Sequence, residues 1–205
     1  MKQVWAVTVI VFAVSSGPLR AQCASTVATT GLGNCIDFLL ATSETLTDQT
    51  MDLVSNGFTF QWGSASYTDF GAKNIVIHLP DCASMDADAM RAKIAYVAHE
   101  LGHGVRGRQE DTSSREAYVE SWCDNEGYAV INNIVGREEI KVCSSNTSDI
   151  GIAASNPAQL LTLYNEGGNV ARTVGSAFCD NNVESVSGKT YREYYGDQYD
   201  ELYGD

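Results

Sequence analysis

Apolar residues recur with helical spacing in two stretches of the first half of the chain. The stretch from Cys35 to Val54 predicts one or two helices. A second helix should begin near Ser84, whose hydroxyl can cap its first turn. Its predicted buried face is formed by positions that repeat every three or four residues: Met90, Ile94, Val97, Ala98, Leu101 and Val105.

A third helix is predicted after a polar segment that runs from Gly104 to Asp111. The sequence Ser113-Ser114-Arg115-Glu116 fits a capping box, in which Ser113 caps the helix and Glu116 bonds back to the Ser113 backbone. The helical pattern continues to about Val135, and Gly136 should end it.

Two short stretches before the second helix have the pattern of β-strands. Phe58–Trp62 alternates between apolar and polar residues, and Asn74–Leu79 is apolar and followed by Pro80. The segment from Gly63 to Lys73 would connect them. We expect a small antiparallel sheet, whose second strand could offer its edge to an extended peptide. His78 in that strand is interpreted as an ordinary strand residue.

The C-terminal half has weaker signals that are mostly helical. Residues 137–142 fit a short helix or a strand, Pro157–Tyr164 fits a helix with proline in its first turn, and Asn169–Cys179 fits another. The predicted fold class is therefore α+β, with a small sheet followed by two long helices and a helical C-terminal half.

One motif lies on the predicted buried face of the second helix. Residues His99, Glu100 and His103 form the pattern H-E-x-x-H, which is the zinc-peptidase signature. In a helix, His99 and His103 lie one turn apart and can bind one metal ion. Glu100 lies beside them and can act as a general base without being a ligand.

A catalytic zinc ion usually has three protein ligands, and the third helix offers two candidates for the third. Glu120 precedes Asp124 by four residues, and this E-x-x-x-D spacing would let Asp124 orient a ligand histidine. Glu126 instead lies on an apolar stripe with Trp122 and Val130. Because a buried carboxylate is costly unless it is paired or binds a metal, the pattern favours Glu126 and leaves Glu120 as the alternative.

The N-terminal segment predicts export, and the charge of the remaining chain limits its partners. Residues 1–21 combine Lys2 with a short apolar core and a small residue at Ala21, which predicts a Sec-type secretory signal peptide, and residues 22–205 are expected to form a single metallopeptidase domain. Removing the signal leaves 11 basic and 26 acidic residues, a net charge of −15. This charge argues against binding to nucleic acid or to an anionic membrane surface.

Six cysteines follow the predicted signal peptide: Cys23, Cys35, Cys82, Cys123, Cys143 and Cys179. An even number in an exported chain predicts disulfide bonds, but fifteen pairings are possible and the sequence does not choose among them. No C-x-x-C pair occurs, which argues against a cysteine zinc cluster.

The motifs together resemble the zincin-like metallopeptidase domains of bacterial polymorphic toxins and secreted effectors. The similarity covers about half of the chain. The matching segments are V-A-H-E-L-G-H-G at 97–104, A-Y-V at 117–119, E-G-Y-A-x-x-N at 126–132, D-I-G-I at 149–152 and Y-Y-G-D at 194–197. The resemblance implies that Glu126 is the third zinc ligand. The chain differs from that family in its export signal, its six cysteines and Tyr128, where an acid is frequent.

The sequence thus predicts a secreted or periplasmic zinc metallopeptidase with a protein or peptide substrate and no membrane anchor. Zinc would activate water, Glu100 would accept its proton, and Tyr194 or Tyr195 could stabilise the oxyanion. Two alternatives stay open: a peptidoglycan amidase or endopeptidase with the same zinc site, and a disulfide-stapled binding module without catalysis. A possible inhibitor or immunity protein is left unidentified by the sequence.

Overall fold

The computed structural model of the protein describes residues 23–24 and 26–204, which form an α+β fold dominated by helices. The described elements are α1 (Asn34–Leu40), α2 (Glu44–Ser55), β1 (Thr59–Gly63), β2 (Tyr67–Asp69), β3 (Asn74–His78), α3 (Ala87–Arg106), α4 (Arg115–Cys143), α5 (Pro157–Glu166), α6 (Val170–Asn181) and α7 (Tyr191–Tyr203), with a short 3₁₀ turn at Cys82–Ser84. The predicted signal peptide lies outside the described residues.

The sheet is mixed, so the expectation of an antiparallel sheet is wrong for its longer pair. The strand order is β1-β3-β2; β1 runs parallel to β3, with Thr59 opposite Asn74, and β2 runs antiparallel to β3. Because β3 is central, both of its edges are paired, and it cannot offer an edge to a peptide as predicted. The sequence does not indicate β2, because this strand lies in the segment predicted to be a connection and is too short and polar to show a strand pattern.

The first long helix, α3, begins and ends about two residues later than its signals indicate. The Asp86 side chain, rather than Ser84, caps it by accepting a bond from the Ala89 backbone N–H at 2.8 Å. Gly104 does not end the helix, because its missing Cβ makes room for Leu53, whose Cδ1 would lie 2.8 Å from that Cβ. The chain leaves the helix at Gly107, which has a φ of 70°.

The second long helix, α4, is longer than the sequence predicts. It is capped by Ser114 rather than Ser113, and it continues through Gly136 to Cys143, so residues 137–142 are its final turns. Gly136 lies against Leu46 of α2, where an added Cβ would be 2.6 Å from the side chain. The glycine thus lies at a close packing contact and does not mark a helix end. The two predicted helices after it are confirmed as α5 and α6.

Helix α3 lies between two groups of elements and contributes to the core with both sides. Its Ile94, Val97 and Leu101 are fully buried in a cluster with α1, α2 and the sheet. Its other side packs along α4, which in turn packs against α6. Helices α3 and α4 therefore meet in the interior, where side chains from both are shielded from water.

The described cysteines form three disulfide bonds, as predicted. Cys23 pairs with Cys143, Cys35 with Cys82, and Cys123 with Cys179. The last bond joins α4 to α6 in the interior, and both residues are completely buried. Among the described residues, no helix is both long and apolar enough to cross a membrane.

Candidate metal centre

The two histidines of the H-E-x-x-H motif lie on the inner face of α3. His99 is 5 % exposed and His103 9 %, and their rings meet edge to face with centroids 4.8 Å apart. The four-residue spacing on one helix brings the two Nε2 atoms close together, 3.2 Å apart. The Phe178 ring of α6 stacks on His99 with centroids 5.4 Å apart and so covers one side of the pair.

Glu126 of α4 completes a triangle of buried donor atoms. Its Oε2 lies 3.1 Å from His99 Nε2 and 3.4 Å from His103 Nε2. In a tetrahedral zinc site with bonds of about 2.0–2.1 Å, neighbouring ligand atoms are separated by about 3.3 Å. The three edges of this triangle match that separation. The buried residues His99, His103 and Glu126 could therefore hold one metal ion.

Glu120, the alternative third ligand, points to a different set of partners. Its carboxylate pairs with Arg172 at 2.6 Å and with Arg192 at 2.7 Å. Asp124 also pairs with Arg172, at 2.7 Å, and therefore does not orient a histidine. The apolar stripe that favours Glu126 identifies the acid that the structure brings to the histidines.

Two further side chains bind the candidate ligands through atoms that are not part of the donor triangle. Asn125 Oδ1 lies 2.5 Å from His103 Nδ1, while the Asn125 amide donates to the Gly107 carbonyl at 2.8 Å. Since the Asn125 amide donates to Gly107, Oδ1 is the acceptor for Nδ1–H, and in the neutral form of His103 the Nε2 lone pair is then free for a metal. The Tyr195 hydroxyl donates to Glu126 Oε1, which leaves Oε2 to face the imidazoles.

Glu100 lies beside the triangle and is bound by a residue of the sheet. It is 5 % exposed, and the Thr68 hydroxyl of β2 lies 2.8 Å from its Oε2 and 3.0 Å from its backbone carbonyl. Burial raises the pKa of the Glu100 carboxyl, against the opposing effects of the two imidazoles and of Thr68. A carboxylate with a raised pKa is a better proton acceptor near neutral pH.

The ligand candidates are strongly coupled through charge. Burial alone would lower the pKa of His103, but the Glu126 carboxylate outweighs it and raises that pKa to about 9. Burial alone would raise the pKa of Glu126, but His103 and His99 outweigh it and hold that pKa far below its usual range. A metal ion must therefore displace a proton from His103 in order to bind.

A cavity of about 730 Å³ opens on one side of the donor triangle. Near the triangle it is lined by His99, Glu100 and Tyr191. It is also lined by Lys93, which lies closer to the start of α3, and by His78 of β3. The sequence offers Tyr194 or Tyr195 as a candidate donor to the oxyanion.

The structure places a different tyrosine in that cavity. Tyr195 is buried with its hydroxyl on Glu126, Tyr194 does not line the cavity, and Tyr191 does.

Sequence reasoning missed the residues that act through another side chain. Asn125 immediately precedes Glu126, and the requirement that a ligand histidine be oriented through its second nitrogen could have pointed to it. Thr68 had no signal, because the pattern of its strand β2 is too short to recognise. Tyr191 and Phe178 come from the C-terminal helices, whose placement depends on tertiary packing.

The chain was compared with protein-family models, with curated proteins and with solved structures, and none of the three comparisons finds a match. A proposal for its function therefore depends on the geometry of the site.

Proposed function

We propose that this protein is an exported zinc-dependent metallopeptidase whose metal ligands are His99, His103 and Glu126. The observation that carries the proposal is the near-equilateral triangle of His99 Nε2, His103 Nε2 and Glu126 Oε2, with sides of 3.1–3.4 Å. Two histidines and one glutamate are a donor set of catalytic zinc sites, which keep the fourth position open. The three disulfides support export, because such bonds are typical of oxidising compartments.

The chemistry divides between the metal and the chain. Bound zinc supplies Lewis-acid chemistry, which makes water more acidic and a carbonyl more electrophilic. Glu100 accepts the proton of the attacking water and delivers it to the departing amine. Thr68 holds Glu100 in place, since its hydroxyl donates to Oε2. The extended cavity beside Glu100 has room for a peptide segment.

A Glu100→Gln variant tests the proposal. The glutamine keeps the size of the side chain and an acceptor for Thr68, but it cannot take a proton at neutral pH. We expect it to retain stoichiometric zinc while kcat on casein or on a peptide library falls about 10²–10⁴-fold. Metal content by mass spectrometry and the initial rate of hydrolysis, with and without chelator, are the measurements.

Glu120→Gln is the matched control, because Glu120 lies on α4 and pairs with arginines of the C-terminal helices rather than with the histidines. It should leave kcat within about twofold, a change of less than about 0.5 kcal/mol in the barrier. Full activity of the Glu100→Gln protein with zinc bound would refute the mechanism. Hydrolysis of purified sacculi but not of casein would indicate the peptidoglycan enzyme. Zinc binding without hydrolysis of either would indicate the binding module.

A further inference from the structure

Lys93 is a buried cation in the same cavity as the candidate metal centre. It precedes Glu100 by seven residues on α3, so the two side chains leave the same face of the helix about 10 Å apart along its axis. Lys93 is only 8 % exposed, yet it lines the cavity together with His99 and Glu100. The cavity is therefore lined by the Glu100 carboxyl group and, two helical turns away on α3, by the Lys93 side chain.

The neighbours of the Lys93 ammonium are a backbone carbonyl and two rings. Its Nζ donates to the Leu79 carbonyl at 3.1 Å and lies 3.5 Å from His78 Nδ1, and the Tyr96 ring centroid is 6.0 Å away. Within the described residues no carboxylate forms an ion pair with it, although the chain contains 26 acids. Burial without a counter-charge lowers the pKa of Lys93.

A buried lysine is normally paired, because removing its charge from water is costly. An ammonium group also has three N–H donors, and the contacts with the Leu79 carbonyl and the His78 ring leave one of them for a further acceptor. A carboxylate that enters the cavity would supply both the missing charge and the missing acceptor. The rise of α3 between the backbone positions of Lys93 and Glu100, about 10 Å, equals the length of about three residues of an extended peptide.

We propose that Lys93 binds a carboxylate of the substrate about three residues from the bond that is cleaved at the metal centre. This inference rests on the proposed function and specifies the substrate class. The carboxylate can come from an aspartate or glutamate side chain or from a free C-terminus, and the two sources differ in their consequence. The first makes the protein an endopeptidase selective for acidic sequences, and the second makes it select the ends of chains.

Matched peptides separate the two sources and test the role of the charge. One pair carries Glu or Gln three residues from the cleavage site, on either side, and a second pair ends in a free or an amidated C-terminus. We expect at least about a tenfold higher kcat/KM for one carboxylate over its amide, which is about 1.4 kcal/mol and within what a hydrogen bond to a charged group contributes. The same preference is measured as a Kd ratio with the zinc-loaded Glu100→Gln protein, which does not need turnover.

Three variants assign the preference to Lys93. Lys93→Met and Lys93→Gln should bind both members of each pair equally, with cleavage of the amide peptide retained, and Lys93→Arg should keep the preference. Lys73→Met is the control, because Lys73 also donates to a backbone carbonyl, that of Asn56, but does not line the cavity. It should change neither ratio.

The outcomes distinguish this inference from the proposed function. A carboxylate preference in Kd that disappears in both neutral variants supports the role of Lys93 even if no peptide is hydrolysed, and in that case the peptidase proposal fails alone. Equal binding of carboxylate and amide peptides to the unsubstituted protein, no binding of either, or a preference that survives in Lys93→Gln would overturn the inference.

Discussion

At the scale of single residues, the candidate centre depends on how two of its three candidate ligands are held by a second side chain. His103 points its Nε2 at Glu126 because Asn125 fixes its Nδ1, and Glu126 points its Oε2 at the histidines because Tyr195 binds its Oε1. Trp122 stacks on Tyr195 with centroids 5.4 Å apart and so restricts that ring. These bonds restrict the side chains that carry the donor atoms, which reduces the cost of ordering the ligands when a metal binds.

Replacing Asn125 by alanine should weaken metal binding more than it weakens the fold. The His103 Nδ1–H loses its acceptor, so its tautomer and ring orientation are no longer fixed, and removal of such partners typically costs about 10–100-fold in metal affinity. We expect an increase of that size in the zinc Kd, measured by competition with a chelating dye. Asn125→Asp keeps the acceptor oxygen and should retain most of the affinity.

Asn132→Ala is the control for general damage to α4. Asn132 donates to the Ala98 carbonyl at 2.7 Å and exchanges bonds with Gln49, but it contacts neither imidazole. It should lower the unfolding temperature without changing the zinc Kd. An Asn125→Ala protein whose zinc affinity equals that of Asn132→Ala would show that the bond to His103 does not orient the ligand.

The residues of the centre are predictable from the sequence to different degrees, for a physical reason. His99 and His103 lie on one helix, so their spacing alone defines their geometry. Glu126 is favoured because a carboxylate on an apolar stripe needs a partner. Thr68 and Asn125 each bind a side chain of a different element. The sequence pattern of one element does not indicate which other element will pack against it.

At the scale of elements, glycines decide how closely the long helices approach. An added Cβ on Gly127 would lie 2.0 Å from the Ala171 carbonyl oxygen, and one on Gly175 would lie 1.9 Å from that of Cys123. Helices α4 and α6 therefore touch backbone to backbone. Since Gly127 follows Glu126 and Phe178 stacks on His99, this close contact also positions one side of the candidate metal centre.

The same kind of residue explains which element boundaries can be predicted. A glycine within a helical pattern fits either a helix end or a close contact, and the sequence does not distinguish them. Gly104 and Gly136 fit the pattern of ends or breaks, but both are packing positions under leucine side chains of α2. Gly107 is a real end, with a φ of 70°. The starts of the long helices are predicted to within a few residues, because caps are local.

Gly127→Ala should destabilise the protein more than Gly136→Ala does. Both substitutions lie within α4 and gain about 1 kcal/mol of helix propensity. At position 127 the new Cβ meets backbone, so α6 must move, and overpacking of this kind costs about 1–3 kcal/mol or more. At position 136 the three nearest atoms all belong to the Leu46 side chain, which can shift without a displacement of a helix backbone. Chemical denaturation gives both free energies of unfolding, and an equal or larger loss in Gly136→Ala would contradict the backbone contact.

At the scale of the whole molecule, the disulfides connect distant parts of a chain of modest size. The Cys23–Cys143 bond spans 120 residues and fixes the N-terminal segment to the end of α4, whereas Cys123–Cys179 spans 56 residues and fixes α4 to α6. The sequence predicts bonds but not pairs, because pairing depends on which helices become neighbours. The second of these bonds lies next to the metal centre, since Cys123 is one turn from Glu126 and Cys179 follows Phe178.

Removing each of these two bonds in turn should show which of them affects only the free energy of unfolding and which also affects zinc binding. In the chain-entropy model, replacing Cys23 and Cys143 by alanine costs about 5 kcal/mol, and replacing Cys123 and Cys179 costs about 4 kcal/mol. Both double variants should therefore unfold at much lower denaturant concentration. Only the Cys123/Cys179 variant should also bind zinc more weakly, because α6 can then move Phe178 away from His99. If zinc affinity falls equally in both variants, measured under conditions where each is fully folded, the bond between α4 and α6 does not hold the centre together.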